Sequence, residues 1–139
     1  MRQVGILTVS DRAARGEYAD ESGPAAAAVL AERTTWQVPR QAVVPDGQAT
    51  IAQALVAWAA AGLDLILTSG GTGFAPRDVT PEATRAVIER DAPGIAEALR
   101  AESLKITRHA MLSRAVAGIR GATLIVNLPG SPKAVRESL

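Results

Sequence analysis

The sequence predicts a three-layer α/β/α domain whose mostly parallel sheet carries one antiparallel strand. Three observations carry that prediction. Short runs at residues 4–9, 63–67 and 123–128 are apolar at nearly every position, as strands buried on both faces are. Segments with helix-forming residues and helical spacing separate them. The runs also end in polar or glycine turns, which is how strands of an α/β sheet pass into helices. With 139 residues, a single domain spanning 1–139 is expected, long enough to bury a core.

The elements follow in order. Residues 4–9 form the first strand and close on Ser10-Asp11-Arg12, and residues 13–21 read as a charged loop. Ser22-Gly23-Pro24 begins a helix, with Ser22 or Gly23 near the cap and Pro24 near the first turn, and good helix formers continue it to Arg33. Residues 34–44 read as an irregular strand that Pro39 marks as an edge. Pro45-Asp46-Gly47 is a turn, because Pro presets φ and Gly accepts unusual backbone angles. Residues 50–61 carry Ile51, Leu55 and Trp58 at helical spacing, and Gly62 suits the position after the helix end. After the strand at 63–67 and its glycine turn, Thr80 is expected to cap a helix running to about Arg90. A further helix is expected from Pro93 to about Leu104. Residues 115–119 and 122–128 flank Arg120-Gly121 as a hairpin. Pro129-Gly130-Ser131-Pro132 then starts a last helix, with Ser131 as cap, that the sequence leaves incomplete at Leu139; a C-terminal extension is expected.

Composition narrows the function. Hydrophobic residues at 47% and charged residues at 21% describe an ordinary globular protein. A net charge of +1, with the basic residues scattered, gives no electrostatic case for nucleic acid or an anionic membrane. The absence of cysteine excludes a disulfide framework, a zinc-thiolate or iron–sulfur site and a thiol nucleophile. One histidine, His109, makes no histidine-rich metal site, and no Gly-x-Ser-x-Gly elbow supports a serine triad. A metal would therefore be a hard cation held by carboxylates and phosphate oxygens, with Mg²⁺ the default. The N-terminus lacks a signal peptide and no stretch is long enough to span a bilayer, so a cytoplasmic protein is expected.

Three strand ends carry polar turns: Ser10-Asp11, the loop Gly70-Gly71-Thr72-Gly73, and residues 127–131. In a parallel sheet such ends lie along one rim, so the three are expected to meet in one crevice. The glycine loop suits phosphate, because glycine leaves main-chain N–H groups uncovered at a helix start. Its spacing matches neither the dinucleotide nor the Walker pattern, and a structural tight turn remains the alternative reading. Asp46 in Pro-Asp-Gly suits a turn, Asp78 suits the dipole of the helix behind it, Ser113 and Ser131 suit caps, and Asn127 suits a backbone tie. Asp11 and Arg12 are placed to form a local ion pair of small energetic worth. Trp36 and Trp58 read as core or subunit contacts.

Thr68-Ser69-Gly70-Gly71-Thr72-Gly73 followed by Arg77-Asp78-Val79-Thr80-Pro81-Glu82-Ala83-Thr84 resembles the signature of the molybdopterin adenylyltransferases and the related gephyrin G domain. The resemblance extends to Thr8-Val9-Ser10-Asp11-Arg12, Ser22-Gly23-Pro24, Val44-Pro45-Asp46, Met111-Leu112-Ser113-Arg114 and Asn127-Leu128-Pro129-Gly130-Ser131, and covers nearly the whole chain in order. It implies adenylylation of molybdopterin, a pterin dithiolene phosphate, by AMP transfer from Mg-ATP with release of pyrophosphate. The product would pass to a molybdate-inserting partner, and the assembly would be a homotrimer. Asp46 and Asp78 would carry the metal-dependent chemistry. Ser10, Asp11, Gly70, Gly71, Thr72, Gly73, Ser113, Asn127 and Ser131 would line the binding cleft, with Arg12 or Arg77 adding a charge-assisted phosphate contact. Two alternatives accompany this reading: a MoaB-like pterin-binding or scaffold relative without turnover, and an unrelated nucleotide-binding domain.

Overall fold

The computed structural model describes residues 2–133. Its elements run β1 (Gln3–Val9), α1 (Asp11–Ala14), α2 (Ser22–Arg33), β2 (Gln37–Val44), α3 (Gln48–Ala60), β3 (Leu65–Ser69), α4 (Thr80–Val87), β4 (Arg90–Asp91), α5 (Pro93–Leu104), a 3₁₀ turn (Arg108–Leu112), β5 (Ala117–Arg120) and β6 (Thr123–Leu128). The sheet order is β2-β1-β3-β6-β5-β4. The first four are parallel neighbours, while β5 runs antiparallel to both β6 and β4. The three-layer fold and its mostly parallel sheet are thus as the sequence predicts, with β5 the reversed strand.

The period of two along a strand sends alternate side chains into two cores. Val4 and Ile6 join Leu67, Val126 and Leu128 under Ala26 and Leu30 of α2 and Ala96 of α5. Leu7, Val9, Ile66 and Ile125 meet Ile51, Leu55 and Trp58 of α3 and Ala83 and Val87 of α4 on the opposite face. Trp58 is a core residue, whereas Trp36 is exposed. β2 occupies the sheet edge that Pro39 marks.

Several boundaries differ from the sequence expectation for identifiable reasons. β3 continues through Thr68 and Ser69 because its parallel neighbours offer partners there, Leu7 and Thr8 on one side and Asn127 and Leu128 on the other. The helix expected to reach Arg90 stops at Val87: Ile88 turns extended, and the chain pairs with β5 through Glu89 N–H to Ile119 C=O at 2.8 Å and Ala92 N–H to Ala117 C=O at 2.9 Å. The charged loop after Ser10 contains the single turn α1, which the Ser10 hydroxyl caps by accepting from Ala13 N–H at 3.2 Å. Glu21, not Ser22 or Gly23, holds the cap position of α2 and makes no side-chain cap bond. Asp20 supplies that function by accepting from Gly23 N–H at 3.1 Å. Thr80 is the first residue of α4 rather than its cap, which is Val79. The final helix expected after Ser131 lies largely outside the described residues.

Candidate active site

Because β1, β2, β3 and β6 are parallel, their C-terminal ends share one rim. From β1 the chain places β2 on one side and β3 on the other, so the strand order reverses between β1 and β3, where an open α/β sheet forms a crevice. The turns are tied to each other. Ser10 N–H donates to Val44 C=O at 2.9 Å and Gly70 N–H donates to Leu128 C=O at 3.2 Å. The Ser22 hydroxyl donates to Gly130 C=O at 2.6 Å, and that of Ser69 to Pro129 C=O at 2.9 Å.

The glycine loop divides this rim into two pockets instead of the single crevice the sequence suggests. One, of about 350 Å³, is polar and includes Ser10, Tyr18, Asp20, Glu21, Asp46, Gly70, Gly71 and Asp78 in its wall. The other, of about 280 Å³, is mainly apolar and is lined by Thr72, Gly73, Ser113, Asn127 and residues of α5 and the 3₁₀ turn. The split occurs because Gly70 and Gly71 both take positive φ, at 100° and 70°, and turn the chain sharply against the sheet. A Cβ on Gly70 would stand 2.3 Å from Val9 C=O, so the close approach of this loop to β1 requires glycine. The Thr80 hydroxyl donates to Gly70 C=O at 2.9 Å, and Thr80 N–H donates to Gly71 C=O at 3.1 Å. Among the described residues the N–H groups of Gly71, Thr72 and Gly73 meet no acceptor, which leaves them available to a ligand oxygen.

Asp46 and Asp11 bind each other reciprocally. Asp11 N–H donates to Asp46 Oδ2 at 3.0 Å and Asp46 N–H donates to Asp11 Oδ1 at 2.9 Å. Arg77 closes this unit: Nε donates to Asp11 Oδ2 at 3.0 Å, and Nη2 donates to Asp11 Oδ1 at 2.9 Å and to Asp46 C=O. Asp11 therefore pairs with Arg77, not with the adjacent Arg12, which lies over the Tyr18 ring at 5.2 Å. Arg77 is occupied by the protein itself, and neither arginine is part of the polar pocket wall. Asp78 Oδ2 accepts from Ala75 N–H at 3.0 Å. Asp46 and Asp78 thus each have one oxygen fixed by a main-chain N–H and one that accepts no hydrogen bond among the described residues.

The carboxyl groups differ electrostatically. Burial pushes Asp46 above the usual aspartate range, helped by the nearby charges of Asp11 and Asp78 and opposed by the Asp11 N–H bond. The Arg77 guanidinium holds Asp11 below that range. Carboxyl carbon-13 NMR should show Asp46 titrating above a free aspartate and Asp11 below it. A cation held by the Asp46 carboxylate would be bound above the raised pKa and released as pH falls through it. For Asp11 the ion pair contributes stability above the unfolded pKa, lost as pH falls through the depressed folded value.

The remaining expected residues fall as follows. Ser10 reaches the polar pocket, and its hydroxyl shares a 2.9 Å hydrogen bond with the Tyr18 hydroxyl. Asn127 is 1% exposed, and its side chain is spent inside: Nδ2 donates to the hydroxyls of Thr68 at 2.9 Å and Thr84 at 3.0 Å, while Oδ1 accepts from Val116 N–H at 3.1 Å. Asn127→Ala is expected to destabilise the fold by about 2–4 kcal/mol, through a cavity and an orphaned Val116 N–H, measurable as a lower urea midpoint. Ser113 lines the apolar pocket, where its hydroxyl accepts from Ala115 N–H at 3.3 Å. Ser131 follows Gly130 at the rim. Sequence reasoning missed Tyr18, Asp20 and Glu21 in the polar wall. Of these, Asp20 had a local signal, standing three residues before Gly23 as a capping aspartate does.

The chain matches the family described as "Probable molybdopterin binding domain" over residues 5–139. It is 43% identical to the molybdopterin adenylyltransferase of Escherichia coli K12 over 139 residues, covering 99% of this chain and 71% of that protein. It is 46% identical to gephyrin of Dictyostelium discoideum over 145 residues, but spans 98% of itself and only 20% of that much longer relative. Among solved structures, the molybdopterin biosynthesis enzyme MoaB from Thermus thermophilus superposes with a TM-score of 0.94 at 55% identity, over 100% of this chain and 87% of that one. Fold, rim geometry and near-complete sequence coverage agree, and the chain belongs to the molybdopterin-binding domain family.

Proposed function

We propose that this chain adenylylates molybdopterin: the substrate's terminal phosphate attacks the α-phosphorus of ATP, AMP is transferred and pyrophosphate leaves. The observation that carries the reading is the chemistry of the polar pocket. Among the described residues its wall contains the carboxylates Asp20, Glu21, Asp46 and Asp78 and no lysine or arginine, beside a glycine loop with uncommitted N–H groups. A bare triphosphate would be repelled there, so anion binding requires a divalent cation. The uncommitted oxygens of Asp46 and Asp78 suit a hard cation such as Mg²⁺. No group of three or more such side chains is assembled among the described residues, so substrate oxygens or water would complete the coordination. Bound there, Mg²⁺ would neutralise phosphate charge where it accumulates during transfer.

The chain's own contribution is positioning. The reciprocal Asp11–Asp46 unit and Arg77 fix Asp46 on the rim, and the Ala75 N–H orients Asp78. Main-chain N–H groups of the glycine loop suit phosphate oxygens. The second pocket, mainly apolar and beside Ser113, suits a flat heterocycle, so the two pockets match two substrates meeting at the loop. The curated relatives named molybdopterin adenylyltransferase support the same activity. Purified chain supplied with Mg²⁺, ATP and molybdopterin should release pyrophosphate in proportion to adenylylated product. Molybdopterin binding without ATP consumption would instead favour the pterin-binding reading.

The assembly proposed is a homotrimer, in keeping with the family resemblance and with exposed apolar side chains such as Phe74 and Met111. Light scattering at a monomer mass would contradict it. Product hand-over to a molybdate-inserting protein and a cytoplasmic location belong to the same proposal; among the described residues no helix is long and apolar enough to cross a membrane.

A further inference from the structure

Arg114 lies outside both pocket walls, yet it is bonded to both ends of the segment that carries Asp78. Its N–H donates to Thr72 C=O at 2.9 Å. Its Nε donates to Gly73 C=O at 2.8 Å, and its Nη2 to Asp78 C=O at 2.6 Å. The guanidinium is then anchored on the first turn of α4, where Nη1 donates to Glu82 Oε2 at 2.6 Å. The loop between these points, residues 73–78, is otherwise tied to the fold through Arg77, whose guanidinium donates to the Asp11 carboxylate and to Asp46 C=O. Ala75 and Asp78 bond only each other within it, and Phe74 projects outward at 70% exposure.

We propose that Arg114 is a positioning residue for the adenylyl-transfer site, acting through Asp78 by pinning both ends of this loop to α4. The inference rests on the proposed function only for the activity readout. A guanidinium suits the task because its donors leave in fixed, divergent directions within one plane, so three acceptors are held at once. A lysine keeps the charge but offers a single small donor centre on a flexible stem, and so cannot span Gly73, Asp78 and Glu82 together. Loosening the loop also frees Arg77, which the same segment carries to Asp11 and to Asp46 C=O. The consequence is a site in which the two aspartates no longer hold a fixed separation, and cation-dependent binding is where this loss should appear.

The test is Arg114→Lys in the full chain, alone and combined with Asp78→Asn, with folding checked by circular dichroism. Folded Arg114→Lys is expected to lose on the order of ten- to a hundredfold in kcat, the size found when groups supporting a metal ligand are removed. The Mg²⁺ concentration giving half-maximal rate should rise with it. Calorimetric binding of Mg-ATP should weaken in Arg114→Lys, but weaken little further when Asp78→Asn is already present, because both changes act on one group. Unchanged rate and Mg²⁺ requirement would overturn the proposal, as would a loss that multiplies fully with that of Asp78→Asn. If Arg114→Lys does not fold, Glu82→Gln, which loosens the anchor and keeps the arginine, should raise the Mg²⁺ requirement by a smaller factor; no rise would overturn the idea. A parental chain that releases no pyrophosphate would defeat the adenylyl-transfer reading alone. Mg-ATP binding then decides for Arg114: weaker in Arg114→Lys supports its role, and unchanged binding refutes it.

Discussion

Asp78→Asn and Asp46→Asn should each lower pyrophosphate release from Mg-ATP and molybdopterin on the order of a hundredfold or more while leaving the fold intact. Asparagine keeps the shape, and its carbonyl still accepts the hydrogen bond that Ala75 N–H gives Asp78, or that Asp11 N–H gives Asp46. It removes the negative charge that a hard cation needs. Folding should therefore be spared and cation-dependent binding lost. The effects of the two changes should also fall short of multiplying, since removing either charge already empties the shared site. A steady-state pyrophosphate assay over a range of Mg²⁺ concentrations checks this. Full parental rate in both variants would remove these residues from the mechanism.

The largest stability effect is expected from Gly70→Ala, at about 2–5 kcal/mol. Two independent costs combine. A left-handed backbone is unfavourable for an L-residue by about 1–2 kcal/mol, and Gly70 has φ of 100°. The added methyl would also sit 2.3 Å from Val9 C=O, a main-chain atom of a central strand that cannot rotate aside. Relief requires β1 and the loop to part, at the overpacking cost of about 1–3 kcal/mol. Urea unfolding should show the midpoint fall without a change in slope. Since Gly70 also shapes the polar pocket, Mg-ATP binding should weaken at denaturant-free conditions even where the variant remains folded. Gly121→Ala is a useful comparison: Gly121 also has positive φ, at 58°, but its Cβ would meet nothing within 4 Å, so only the backbone cost applies.

These two results probe different levels of the same design, and the sequence revealed them unequally. The strands were legible because their aliphatic runs are local, and the rim followed from parallel order because each run ends in a turn of recognisable chemistry. That Asp46 and Asp78 lie in the wall of the rim pocket was legible through motifs that surround them in sequence. What was hidden depends on contacts across the fold. The pairing of Arg77 with Asp11 spans 66 positions and that of Arg114 with Glu82 spans 32, so no window around either arginine contains its partner. Asn127 is an instructive middle case. Its strand-end position suited a backbone tie, which Oδ1 makes with Val116 N–H, while the resemblance placed it in the cleft; the buried hydroxyls of Thr68 and Thr84 that engage its amide do not stand beside it in sequence. The two-residue strand β4 is likewise a consequence of the free edge of β5, not of any strand signal in Arg90-Asp91. Tyr18, Asp20 and Glu21 entered the pocket wall because α1 folds the segment after β1 back toward the rim, which a charged stretch with no periodicity does not announce.

At the heart of the proposed function, one hard cation joins Asp46 and Asp78 to a triphosphate lying against the glycine loop. A crystal structure with Mg²⁺ and a non-hydrolysable ATP analogue tests it most directly. The expected result is a metal ion coordinated by the Asp46 and Asp78 carboxylates and by phosphate oxygens, with loop N–H groups from Gly71 onward donating to the nucleotide. A nucleotide bound elsewhere, or a metal that contacts neither aspartate, would contradict it.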